Sequence, residues 1–341
     1  MRLPGPGPPQ SDMRIRQTGA EMLKHTTLAA ALLAGSLTGA FADPVKIGLQ
    51  PWLGYGPLWV AAEKGFFAAH GVEVELASFN WDQDMTAALA SGNLDVVAAA
   101  TNTAIASFNH GVDQKAFLVM DVSTTADAIL AGEGIADVAG LKGRKVAFEA
   151  GATSDLLMNY ALKVNGMSLA DIEHVPMGAS EAGLALLSGQ VEAAVTYEPY
   201  ISAALGKDAS YKVIYDATQK PGLISDVLTA RGDWIAANPA LVEGMIKAWD
   251  DAIVFIREHP EEGGAMIAKA VGSPMEEFTV GFKGVKLYDA AENAALVTGD
   301  FPATLREIAG IMKTSNPDEI TKIPALDDVM MTAPVLKVAG K

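Results

Sequence analysis

The sequence contains no cysteine. Disulfides, cysteine-held metals and thiol nucleophiles are therefore excluded. A lipid anchor is not expected either, because it needs a cysteine just after the leader. Basic residues are scarce: 25 Lys and Arg stand against 41 Asp and Glu, for a formal net charge of −16. A nucleic acid or an anionic membrane asks for a basic surface, so neither is an expected partner. Histidine is rare too. Beyond residue 42 only His70, His110, His174 and His259 remain, scattered, and the chain has neither an HExxH pattern nor a nucleophile elbow. The longest apolar run, "TLAAALLAGSLTGA", falls short of the roughly 20 residues that a membrane span needs.

What is present is length and apolar character. The 341 residues are 50% hydrophobic, enough for about two domains. Residues 1–21 are Pro/Gly-rich and aperiodic, and are expected to be a non-native extension before a start at Met22. Residues 22–42 have the three parts of a signal peptide: Lys24 and His25, the apolar run, and the A-x-A site Ala40-Phe41-Ala42. The expectation is cleavage after Ala42 and a mature protein free in the periplasm.

From Asp43 onward short apolar runs alternate with helical patterns. "VKIGL", "VEVELASF" and "LDVVAAA" read as strands, with helices over 57–71, 84–92 and from 103 between and after them. This order predicts a parallel sheet with helical crossovers. The order then returns. "LASGNLDVVAAAT" (89–101) aligns with "LLSGQVEAAVTYE" (186–198), so that Ser91, Gly92 and Asp95 fall on Ser188, Gly189 and Glu192, 97 residues later. Lys46 falls on Lys145 at nearly the same offset. Duplicated architecture is the reading. Two α/β lobes are expected, each a mainly parallel sheet flanked by helices: lobe 1 from 43–128 and 225–341, lobe 2 from 129–224. "SDVLTAR" reads as a strand, and the segments 238–260, 274–286 and 302–314 read as helices packed on lobe 1. Two crossings, near 121–130 and 222–230, make a hinge with a cleft between the lobes.

Ligands of open parallel sheets bind beyond the carboxyl ends of the strands. That rule selects 50–55, 79–82 and 100–103 in lobe 1. It selects 149–154, 177–181 and 196–200 in lobe 2, and the crossings add 121–127 and 225–226. These loops hold Trp52, Tyr55, Trp81, Tyr197 and Tyr200. They also hold Asp82, Asp121, Asp127, Glu149 and Glu198, and no Lys, Arg or His. The candidate contacts are Trp52 and Tyr55, Trp81, Thr101 and Thr103, Ser123 and Asp127, Thr153 and Ser154, and Tyr197 and Glu198. Each has a plainer reading beside it. Trp52 and Trp81 suit a core, and Thr153 and Ser154 suit helix caps. Asp127 suits a bond across the hinge, since a buried carboxylate needs a partner, and Glu198 before Pro199 suits a cap or a turn. Gly54 and Gly56 would let backbone approach a solute.

The phrases "IGLQPWLGYGPLWVAAEKGFFAAHGVEVEL", "MTAALASGNLDVVAAATNTAIA", "VAGLKGRKVAFEAGATSDLL" and "LLSGQVEAAVTYEPY" resemble the periplasmic substrate-binding proteins of ABC importers. The branch is that of nitrate, taurine and aliphatic sulfonates, which includes thiamine-pyrimidine-precursor binders. The resemblance runs from about 44 to 260. It implies the two-lobed type II periplasmic binding protein fold and a receptor, usually a monomer, that closes on a small solute and docks on a membrane permease. It implies no cofactor and no metal. It also implies pocket contacts at 50–55, Trp81, Thr101–Thr103, Ser123–Asp127, Thr153–Ser154 and Tyr197–Glu198. Enzymes of this fold that make the thiamine pyrimidine use a Cys-rich segment, which this chain lacks. Five carboxylates near the cleft would oppose a purely anionic solute. The expected ligand therefore bears an amine, held by aromatic faces and Asp127. Any acid end it carries would sit on a helix N-terminus.

Overall fold

The protein is described by a computed structural model covering residues 43–341. The expected extension, the signal peptide and its cleavage site lie outside the described residues. In chain order the strands are β1 (Val45–Leu49), β2 (Val74–Ser78), β3 (Val96–Ala100), β4 (Gln114–Ser123), β5 (Asp127–Ala131) and β6 (Lys145–Phe148). They continue with β7 (Glu173–Pro176), β8 (Ala193–Tyr197), β9 (Lys212–Asp216), β10 (Ser225–Arg231) and β11 (Val285–Leu287).

These strands build two sheets, ordered β11-β4-β10-β3-β1-β2 and β7-β6-β8-β5-β9. In the first, β1 to β4 run one way and β10 and β11 the other. In the second, only β5 is reversed. Both sheets are thus mixed, with two parallel pairs of five in the first and two of four in the second, and helices lie on their faces. Burial follows position. The inner strands β3, β5 and β8, all apolar or nearly so, are buried along their whole length, while the outer strands β2, β7 and β9 are half-exposed.

The sequence repeat is a repeat of hydrogen bonds. Asp95 accepts from the Lys46 amide at 3.0 Å, and Glu192 accepts from the Lys145 amide at 3.1 Å. The Asp95 amide donates back to Lys46 O, and the Glu192 amide to Lys145 O. In each sheet this carboxylate pins two parallel strands together where the ladder begins. Gly92 and Gly189 both take left-handed φ, 77° and 72°, and end the helices that lead into those strands.

The chain leaves the first sheet at Ser123, enters the second at Asp127, and returns between Asp216 and Ser225. The long helix Pro239–Glu258 buries Val242, Met245, Ile246, Trp249 and Ile253 along one stripe. It packs on the helix Gly56–Lys64. Gly244 makes room for the turn that follows Ala69, because a Cβ there would sit 2.7 Å from the His70 carbonyl oxygen. β11 is too short to cover all of β4. At Val119 the side-chain amide of Asn293 replaces the missing strand, accepting from the Val119 amide at 2.7 Å and donating to its carbonyl at 2.8 Å.

Two expected elements differ. The helix over 57–71 is broken at Gly65, whose φ of 75° ends the first piece before Phe66–Ala69 begins the second. The segment 274–286 is α-helical from Met275 to Gly281 and passes through a 3-10 turn over Phe282–Gly284. Its last residues become β11, because β4 offers an edge to pair with.

Candidate functional site

The carboxyl ends of β1, β3 and β6, and the start of β10, meet in the cleft between the sheets. Asp226, the second residue of β10, stands in register with Ala100 of β3 and Asp121 of β4. Asp127 opens β5 and pairs with Tyr197 of β8. Strand pairing therefore brings acidic residues far apart in sequence to one place.

A small cavity of about 30 Å3 lies among them. Its acidic wall is Asp82, Asp127, Glu149 and Asp226, and its aromatic wall is Trp52, Tyr55 and Tyr197. Gln50, Thr153, Ser154 and Thr196 supply neutral polar groups, and no Lys, Arg or His lines it. A water needs roughly 10–15 Å3 of such space, so the cavity has room for about two. A larger solute requires the lobes to separate.

The turn after β1 places its two aromatics by hydrogen bonding. Trp52 Nε1 donates to Asp121 Oδ1 at 3.2 Å, and Tyr55 OH donates to Asp226 Oδ1 at 3.2 Å. The Trp52 ring meets Tyr197 edge-on, centroids 5.8 Å apart. Gly54 serves this arrangement: a Cβ there would lie 2.3 Å from both Asp121 Oδ2 and Trp52 Nε1. Gly56 likewise makes room for Ile267.

Across the cleft the Asp82 amide donates to Glu149 Oε1 at 2.9 Å, joining the two lobes. Thr103 Oγ1 donates to Asp82 Oδ2 at 3.3 Å. Ser154 Oγ donates to the Glu149 carbonyl at 3.2 Å and accepts from the Glu149 amide, which holds the β6 loop closed.

Burial without a cation raises every acid in the cluster. Desolvation pushes Asp127 up to about 8, with the charges of Asp226 and Glu198 adding to it and the Ser123 hydroxyl partly opposing. Glu149 rises for the same first reason, reinforced by Asp82. Asp82 and Asp121 also rise through burial, and Asp226 lies well above the usual carboxylate range. Tyr55 and Tyr197 are held in the neutral form, first by burial. Among the described residues, no three His, Asp or Glu are grouped so that they could hold a metal ion.

Of the contacts expected from sequence, Trp52, Tyr55, Asp127, Thr153, Ser154 and Tyr197 line the small cavity. Thr153 and Ser154 are not the caps of their helix, whose N-cap is Ala152 without a side-chain bond. Thr103 lines a neighbouring, larger cavity. Trp81, Thr101, Ser123 and Glu198 line neither. Trp81 is half-buried and lies close to Gly178 of the other lobe. The Thr101 hydroxyl is engaged with Ser225 Oγ at 2.8 Å. Glu198 accepts from the Ser202 amide at 3.0 Å and its hydroxyl at 2.9 Å, so its carboxylate is engaged by the first turn of the next helix. Asp82, Glu149 and Asp226 belong to the wall but were not among the expected contacts. Their signal was the strand-end rule itself, which selects all three loops.

The model of the NMT1/THI5-like family matches residues 53–263, more than half of the sequence. The chain belongs to this family. It is 30% identical over 204 residues to a protein of Escherichia coli (strain K12) provisionally named an aliphatic sulfonates-binding protein, a match over 59% of this chain and 63% of that one. The periplasmic aliphatic sulphonate binding protein SsuA from Escherichia coli superposes with a TM-score of 0.68 at 21% identity, covering 88% of this chain and 100% of that one. The alkanesulfonate-binding protein SsuA from Xanthomonas axonopodis pv. citri, bound to MOPS, gives 0.71 at 18% identity, over 85% and 99%. These likenesses establish the two-lobed periplasmic binding protein fold.

Proposed function

We propose that this protein is the periplasmic receptor of an ABC importer for a small amine-bearing solute, cationic or zwitterionic, which it carries to a membrane permease. It is a binding protein and not an enzyme. The observation that carries the reading is the acidic wall of the small cavity, four carboxylates facing three aromatic rings with no basic side chain among them.

A buried carboxylate is costly unless it is paired or protonated. An ammonium group answers that cost directly: it donates charge-assisted hydrogen bonds to the acids and gains about 0.5–2 kcal/mol from each aromatic face. A sulfonate or nitrate would add negative charge to the same wall. The sulfonate-binding relatives support the receptor class, and the wall of this cavity supports a different ligand charge. Because the acids come from both lobes, a cation that bridges them favours the closed form by its differential affinity for it.

Isothermal titration calorimetry on ligand-stripped protein tests the proposal. Small amines or taurine-like zwitterions are expected to bind at least tenfold more tightly than nitrate or simple alkanesulfonates at pH 8. The reverse order would overturn it.

A further inference from the structure

A second cavity, of about 470 Å3, adjoins the small one and shares Asp82 and Ala152 with it. Its size falls in the range of about 300–1,000 Å3 typical of small-molecule sites. Its walls come from both lobes and from the C-terminal region. Ala87 and Ala106 stand on two helices of the first lobe, Leu156 on a helix of the second, and Met312 on the helix Phe301–Ser315. Most of its exposed wall surface is apolar, and the buried polar groups in it include Ser107 and Asp155, which are hydrogen-bonded to Gln114 and Asn316. One polar side chain in it is incompletely satisfied. Asn102 is buried and accepts at Oδ1 from Thr153 Oγ1 at 3.4 Å, while its Nδ2 has no acceptor. A buried donor without a partner calls for an explanation.

We propose that this cavity is the outer compartment of the binding site, and that the solute is an elongated amine whose apolar body lies there with a hydrogen-bond acceptor for Asn102. The inference rests on the amine reading for the head group only. The small cavity holds the ammonium group at the acidic wall, and the shared residues Asp82 and Ala152 mark the passage between the two. The solute is then graded from charged to apolar along its length, as the two walls are. With room for about two waters, the inner compartment takes the ammonium group alone, and the rest of the solute extends into the outer one.

The test compares ethylamine, n-hexylamine, 2-butoxyethylamine and the uncharged n-hexanol by calorimetry, on wild type and on Ala87→Phe and Ala106→Leu. Ala87 is exposed on its helix, so that variant is the one expected to keep its fold, with thermal unfolding as the check. In the wild type n-hexylamine should bind at least tenfold more tightly than ethylamine, since each buried methylene contributes favourably. That ratio should fall toward one in the filled variants. The ether oxygen of 2-butoxyethylamine should add affinity in the wild type and none in Asn102→Ala. A flat dependence on chain length, or an unchanged ratio in both filled variants, overturns the compartment. An ether without effect overturns the role of Asn102. If n-hexanol binds in a way that filling abolishes while no amine gains from its charge, the compartment stands and the amine reading falls. If neither hexyl compound binds, the compartment falls too.

Discussion

The Asp82 amide lies 2.9 Å from Glu149 Oε1, one lobe donating to the other across the cleft. Both side chains also line the acidic cavity. The contact that helps to close the protein therefore adds to the charge that resists closure. Glu149→Gln separates these roles, since the amide oxygen still accepts from Asp82 and the charge is gone. At pH 8 the unliganded variant should melt at a higher temperature than wild type, and the difference should shrink toward pH 5, where Glu149 is already protonated in its raised state. Amine affinity should fall at least tenfold. A variant that melts lower than wild type at pH 8 would show that the bond, and not the charge, dominates.

Stability of the unliganded protein should fall as pH rises. Burial lifts Asp127 to about 8, so the folded state keeps a proton that the unfolded chain releases near pH 4. The stability this contributes is full below the unfolded value and declines through the interval, gone once pH passes about 8. Asp82, Asp121 and Glu149 shift the same way and steepen the decline. Urea unfolding between pH 4 and pH 9 measures it, and Asp127→Asn should flatten the curve. A wild-type curve that rises across this window would mean that the acids are paired in the folded protein.

Binding should show the opposite dependence. A protonated amine stabilises the ionised form of the acids it touches, so closure on it releases protons and affinity increases from about pH 6 to pH 8. An anion would bind more weakly over the same window. Calorimetry in buffers of different ionisation enthalpy counts the protons directly, and uptake in place of release would exclude a cation at this wall.

The duplication was legible because it rests on local signals: a helix-ending glycine, a carboxylate and a short apolar strand. The matching bonds of Asp95 to Lys46 and Glu192 to Lys145 follow from that register. The strand-end loops were legible from topology alone. Which side chains within them face the cavity was not, because that depends on partners distant in sequence. Glu198 turns away to Ser202, and Thr101 to Ser225, while Asp226 faces inward. The role of Gly54 was hidden for the same reason, since Asp121 reaches it from β4, far along the chain. β11 was hidden because only the free edge of β4 makes it a strand.

Trp52 and Gly54 offer the last discrimination. Trp52→Phe keeps an aromatic face toward Tyr197 and removes the donor to Asp121, so amine affinity should fall by less than tenfold. Trp52→Ala removes both and should cost at least tenfold, about 1.4 kcal/mol. Gly54→Ala acts differently. Its Cβ would fall 2.3 Å from Asp121 Oδ2, and that crowding should destabilise the fold by about 1–3 kcal/mol. Urea unfolding and calorimetry on the three variants separate the effects: Trp52→Phe should appear mainly in binding, Gly54→Ala mainly in stability, and Trp52→Ala in both, because removing the buried ring leaves a cavity. If Gly54→Ala were as stable as wild type and bound poorly, the turn would be touching the solute after all, and the glycine would be making room for ligand and not for Asp121.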